Sequence, residues 1–431
     1  MIPGPARRAR GSRLTLAAAG AVVFTACAED AGPPEASMSP AMSAEQVAEL
    51  PDRVLTIDTH DDIPFDFATD EVDPFDADRQ VNIVKMQDGG LDVGFFIVYV
   101  GQTERTAENV ELAKEAAMQK FEAIHRMTDT MYPDFIELAY TADDVERIAA
   151  EGKLVAAIGI ENGYVIGRDL DLLEVYHDLG ARYITLAHGG HNDIADSATP
   201  RANLGDDPEG EHGGISAFGE QVVAEMNRLG IMVDVSHISK DAMMDAVRIS
   251  RAPVIASHSS TRALTDHPRN MDDEQLRALA ANGGVIQIVA LDAFVKAHTP
   301  ERAAAVDSLR AAFGLTDGTS PQALDAERRA AYDGGMTSIR ERFPAATVAD
   351  FVDHIDHAVE VAGLDHVGIS SDFDGGGGVV GWADASETLN VTAELVVRGY
   401  TEGEIAQLWS GNTLRVWREA ERVAAELQAG G

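Results

Sequence analysis

Eight short apolar runs, each rich in Val and Ile and set among amphipathic stretches, constrain the folding of this chain more than any other feature. They cover residues 54–59, 93–100, 154–160, 183–187, 231–236, 254–257, 285–290 and 367–371. Near-continuous apolarity marks strands covered on both faces, the condition of a parallel sheet. Helical patterns lie between the runs, over 107–127, 141–150, 170–179, 218–229, 240–249, 272–281 and 347–362, and 402–427 closes the chain. This alternation predicts an α/β chain of the (β/α)8 TIM-type barrel class. It would be a single catalytic domain over 51–431, with 303–343 as a helical insertion before the last strand. A doubly wound open sheet is the competing arrangement.

The 431 residues can bury a large core, and 45% apolar with 25% charged residues is ordinary globular composition. A formal net charge of -38 argues against a nucleic-acid partner, because phosphate recognition needs clustered Lys and Arg. Residues 1–27 read as a signal peptide: Arg7, Arg8, Arg10 and Arg13 precede an apolar stretch over 14–24 that is too short to span a bilayer. Phe24-Thr25-Ala26-Cys27 resembles a bacterial lipoprotein box, with Phe where Leu is usual. Cys27 is the only cysteine and the expected lipidation site, so no intramolecular disulfide can form. Residues 28–50 read as a flexible tether. The expectation is an exported protein, a periplasmic or cell-envelope lipoprotein of a bacterium, held to the membrane by its N-terminal lipid.

Barrel active sites lie at the carboxyl ends of the strands. The first run ends Asp58-Thr59-His60-Asp61-Asp62, and residues two apart on a strand share a face, so His60 and Asp62 can reach one cation. The third run is followed by Glu161, the fourth by His188 with His191 beyond, the fifth by His237, and the sixth by His258. The eighth is followed by Asp372-Phe373-Asp374-Gly375. A lone strand-end His is more often a hydrogen-bonded loop residue than a ligand. Their joint placement is different, because a barrel gathers these positions around one ring while an open sheet spreads them along a line. His60, Asp62, Glu161, His237 and His258 therefore form a candidate metal set of imidazoles and carboxylates, which suits zinc and its borderline neighbours. Five ligands exceed the usual three of one catalytic zinc, which favours two ions bridged by Glu161. Asp372 reads as a general acid/base. His188 reads as a substrate or oxyanion contact, and Asp374 and His191 as supporting loop residues.

These residues resemble the membrane (renal) dipeptidase family of binuclear zinc peptidases. The matching segments are Ile57-Asp58-Thr59-His60-Asp61-Asp62-Ile63-Pro64, Gly159-Ile160-Glu161-Asn162-Gly163, Tyr183-Ile184-Thr185-Leu186-Ala187-His188, Val233-Asp234-Val235-Ser236-His237, Pro253-Val254-Ile255-Ala256-Ser257-His258-Ser259-Ser260, Arg269-Asn270 and Gly368-Ile369-Ser370-Ser371-Asp372-Phe373-Asp374-Gly375. The resemblance implies dipeptide hydrolysis by a metal-bridging hydroxide. One Zn2+ would be held by His60, Asp62 and Glu161, and a second by Glu161, His237 and His258. It implies that His188 and Arg269 bind substrate, with Arg269 on the dipeptide carboxylate, that Asp372 serves the scissile amide, and that the chain could form a homodimer. A disulfide-linked dimer would need an unlipidated Cys27. Two residues depart from the family pattern: Asp61 stands where Asn is common and Asn162 where Gly is common. The rival readings are another barrel amidohydrolase, acting on a lactone, cyclic amide or phosphoester, and an inactive lipid-anchored binding protein. No Lys ends a central strand, as a carbamylated bridge of the larger amidohydrolase class would require.

Overall fold

Each of the eight apolar runs is a strand. In a computed structural model, which describes residues 42, 44–315, 321 and 324–430, they are β1 (Ile57–Asp62), β2 (Val93–Tyr99), β4 (Leu154–Glu161), β5 (Ala181–Thr185), β6 (Met232–Asp234), β7 (Ile255–Ser259), β8 (Val285–Val289) and β9 (Val367–Ser370). They pair in parallel in the order β1-β2-β4-β5-β6-β7-β8-β9. The two ends meet: the Asp62 N–H donates to the Phe373 carbonyl at 2.9 Å, and the Ser371 N–H donates to Asp58 Oδ1 at 2.9 Å. The result is a nearly closed eight-stranded parallel barrel, not an open sheet. An unanticipated ninth strand, β3 (Ile136–Leu138), pairs with β4 off the ring; three residues are too few to show a period.

Period-two alternation divides the strand side chains between two layers. Ile57, Val93, Phe95, Ile97, Val155, Ala157 and Tyr183 fill the barrel, together with Trp417 and Val416 of the last helix. Phe95 bridges them, its ring 5.5 Å from Tyr183 and 5.7 Å from Trp417 between centroids. Phe96, Val98, Ala156, Ile158 and Ile160 face the helical layer. That packing closes one end of the barrel with hydrocarbon and leaves the carboxyl ends of the strands to polar residues.

Helices follow most of the predicted patterns, and Lys240–Ile249 matches its predicted bounds. Two π-turns were not foreseen. Arg126–Met131 follows the helix Ala107–His125, and Gln407–Gly411 splits the final one into Glu402–Ala406 and Asn412–Ala429. The helices Ile83–Gly89 and Leu389–Arg398 were also unforeseen. The insertion holds the helices Pro300–Ala312 and Ala326–Arg342. The signal-like segment and Cys27 lie outside the described residues. Of the tether expected over 28–50, Ala44–Ala48 is a short helix and Leu50 is fully buried in the main core, so ordered packing begins ahead of the predicted boundary. Among the described residues no helix is long and apolar enough to cross a membrane.

Candidate active site

Glu161 ends β4 on its inward face, in step with Val155 and Ala157. Gly159 lies between them, and a Cβ there would stand 2.2 Å from the Tyr183 ring. The missing side chain makes room for that ring, whose hydroxyl donates to the Thr59 carbonyl at 2.9 Å and lies 2.9 Å from His60 Nδ1. With its proton committed to Thr59, the phenol oxygen accepts from Nδ1–H and leaves the His60 Nε2 lone pair free. That Nε2 is buried without a hydrogen-bond partner. The β1–β2 register shifts between Asp58 and Asp61. This irregularity turns His60 inward although Ile57 already faces the barrel interior.

His258 is set in the same way. Its Nδ1 lies 2.8 Å from Ser257 Oγ, whose own proton goes to Asp234 Oδ2 at 2.7 Å. Asp234 is fully buried and also accepts from the backbone N–H groups of Ser236 and Ser257. Four imidazoles then converge on one carboxylate oxygen. Glu161 Oε1 is 2.9 Å from His237 Nε2, 3.3 Å from His258 Nε2, and 3.6 Å from Nε2 of both His60 and His188. His60 Nε2 is also 3.8 Å from Asp62 Oδ2 and 3.9 Å from Asp372 Oδ1. The Nε2 atoms of His237 and His258 are 2.7 Å apart, a spacing that needs a shared proton or a cation. His237 and Asp372 hold positive φ values of 67° and 59°, backbone strain of the kind that collects at functional sites.

The electrostatics follow from this crowding. Burial alone would lower the His60 pKa, but Glu161, Asp62 and Asp372 raise it to about 9. Burial pushes His237 and His258 well below the usual imidazole range and His188 down to about 4. Burial, then the charge of Glu161, raises Asp62 to about 6. Burial also raises Asp372 well above the carboxylate range. Glu161 goes the other way: burial opposes ionisation, but the imidazoles around it hold its pKa well below the usual value. Three imidazoles kept neutral by burial, facing an ionised carboxylate beside His60, are a donor set for a divalent cation. Three overlapping groups have ligand atoms within 4.8 Å of one another: His60 with Glu161 and His258, Glu161 with His188 and His237, and His60 with Asp62 and Asp372. The orphaned His60 Nε2 and the shared Glu161 oxygen fit a bound divalent metal.

Arg269 lies at the rim, 6% exposed, with a nitrogen donating to the His258 carbonyl at 3.2 Å and its Nε unpartnered. The remaining expected residues have supporting places. Asp374 accepts from the N–H groups of Gln80 and Val81 and pairs with Arg79. His191 hydrogen-bonds the Asp207 carbonyl and the Ser197 N–H. Asp61 faces Gly94, whose Cβ would stand 2.7 Å from its Oδ2, so its carboxyl lies across the strand from the ligand face. Asn162 has φ 83°, a conformation that Gly adopts freely and Asn tolerates, and it caps the turn by accepting from the Tyr164 N–H.

Sequence reasoning missed Tyr183, Ser257 and Asp234. Asp234 was signalled by a carboxylate inside an apolar run, since a buried charge demands donors. Tyr183 carried no such mark. If its hydroxyl fixes the His60 tautomer, Tyr183→Phe should weaken metal affinity by about 10–100-fold while the barrel stays folded. Competition with a chromophoric chelator measures this, and unchanged affinity would remove Tyr183 from the site.

A parallel barrel whose mouth gathers imidazoles around a shared carboxylate defines the class of metal-dependent barrel hydrolases. The sequence profile of the membrane dipeptidase family, peptidase family M19, matches residues 44–431. The chain is 33% identical over 355 residues to dipeptidase tcpJ of Claviceps purpurea, covering 81% of this chain and 71% of that protein. It is 32% identical over 354 residues to dipeptidase aclJ of Aspergillus oryzae, covering 81% and 72%. The crystal structure of the probable dipeptidase PvdM from Pseudomonas aeruginosa superposes with a TM-score of 0.78 at 34% identity, covering 88% of this chain and 98% of that one. The chain belongs to the membrane dipeptidase family, and it is a dipeptide-hydrolysing metallopeptidase.

Proposed function

We propose that this peptidase cleaves dipeptides with two zinc ions, one held by His60, Asp62 and Glu161 and the other by Glu161, His237 and His258. The convergence of four imidazole Nε2 atoms on Glu161 Oε1 carries this reading. When bound, the ions supply a water ionised at neutral pH and Lewis-acid polarisation of the scissile carbonyl. The chain's own residues do the rest. Arg269 offers its guanidinium to the dipeptide α-carboxylate, where a planar fork matches a planar anion. His188, held neutral by burial, offers a hydrogen bond to the carbonyl oxygen as charge builds on it. The Asp372 carboxyl passes a proton to the departing amine. Purified protein supplied with zinc should hydrolyse a panel of L-L and L-D dipeptides, stop on chelation, resume on zinc addition, and hold two ions per chain by elemental analysis. An intact panel with two ions bound would rule the reading out.

A further inference from the structure

We infer that this enzyme prefers dipeptides with a carboxylate in a side chain, and that Arg201 is the residue that selects them; this rests on the dipeptidase reading above. The mouth is a cavity of about 230 Å3 whose charged lining includes Asp62, Glu161 and Asp372 on one hand and Arg201, Arg269 and Arg310 on the other. A divalent metal pair brings more charge than the three carboxylates remove. Arg201 and Arg269 add to that positive charge, in a chain whose net charge is -38.

Arg269 makes no ion pair among the described residues and is nearly fully buried with an unpartnered Nε. A buried guanidinium without a counter-ion is costly until a ligand supplies one. One such fork answers the α-carboxylate that every dipeptide carries. Arg201 stands on another part of the ring. It lines the same cavity as Tyr99, the residue that ends β2. It lies against the backbone just after β5, where a Cβ on Gly189 would be 2.7 Å from Nη2. Asp206 fixes the approach of the loop by accepting from the backbone N–H groups of both Arg201 and His191, at 2.7 and 2.9 Å. Arg201 also makes no ion pair among the described residues. Behind Tyr99, the buried Lys120 adds charge to this wall, with Nζ 5.7 Å from the ring centroid and no hydrogen bond or ion pair of its own among the described residues. A neutral dipeptide spends its one carboxylate on Arg269 and leaves Arg201 without an anion. A second carboxylate on the substrate fills that vacancy with a charge-assisted bond.

The test measures kcat/KM of the zinc-loaded enzyme at low salt for Ala-Ala, Ala-Asp, Ala-Glu, Asp-Ala, Glu-Ala and Ala-Lys, each with an L or D second residue. At least one acidic position should exceed Ala-Ala by about tenfold or more, mostly through KM. In Arg201→Gln that ratio should collapse towards one. Gly189→Ala, which displaces the guanidinium without deleting it, should lower the ratio in the same direction. Acidic dipeptides no better than Ala-Ala, or a ratio unchanged in both variants, would overturn the preference while leaving the dipeptidase reading intact. No hydrolysis of any dipeptide with two ions bound would overturn that reading and the preference with it.

Discussion

Replacing Glu161 with Gln should remove activity and metal together: kcat/KM is expected to fall on the order of 10³-fold or more. Metal content should drop from two ions to at most one. The amide keeps the size of the carboxylate, so packing around β4 is preserved and the effect is electrostatic. It also turns one of the two oxygens into an NH2 donor and removes the negative charge that lies within 3.6 Å of four imidazole nitrogens. Two cations brought close together repel, and a shared anion offsets that repulsion. Elemental analysis and dipeptide hydrolysis on the same preparation check the expectation. Two bound ions with activity within tenfold of the parent would show that Glu161 does not bridge.

The strands and their ligand-bearing ends were legible because both rest on local pattern. Buried parallel strands are apolar throughout, and an acidic or imidazole residue directly after such a run stands out. The outline of the site therefore came from seven strand-end residues, and Arg269 came from likeness to a family. What stayed hidden depends on residues far apart in sequence. The contact of Gly159 with Tyr183, and of Tyr183 with His60, joins β4, β5 and β1, and none of the three segments announces it. The placement of Asp61 was hidden for a related reason. Strict alternation from Ile57 would send His60 outward, and only the shifted register between Asp58 and Asp61 reverses that. An acidic side chain that neighbours two ligands in sequence therefore lies on the other side of the strand, against Gly94. Asn162 is the opposite case. Its departure from the family pattern concerns backbone geometry, since φ 83° explains both the usual Gly and the tolerated Asn.

Asp372→Asn should separate proton transfer from metal binding. Asp372 is held rigidly: its carbonyl accepts from the N–H groups of Gly376 and Gly377 at 3.1 and 2.7 Å. Its carboxylate leaves no room for a Cβ on Gly375, which would stand 2.4 Å from Asp372 Oδ1 and 2.2 Å from Asp62 Oδ2. Asp374 ties the same turn to residues 79–81. Burial, reinforced by Asp62 and Glu161 and only partly offset by His60, raises the Asp372 pKa well above the carboxylate range. Such a carboxyl can hold a proton near neutral pH and release it, which an amide of the same shape cannot. The variant should keep two ions, keep KM within a few-fold, and lose kcat by about 10²–10⁴-fold, with one limb of the pH–rate profile gone. Asp372 also lies within ligand distance of His60 and Asp62, so the competing outcome is specific. If metal content falls together with kcat, Asp372 is a ligand and the proton donor must be sought elsewhere. If kcat stays within tenfold, it is neither.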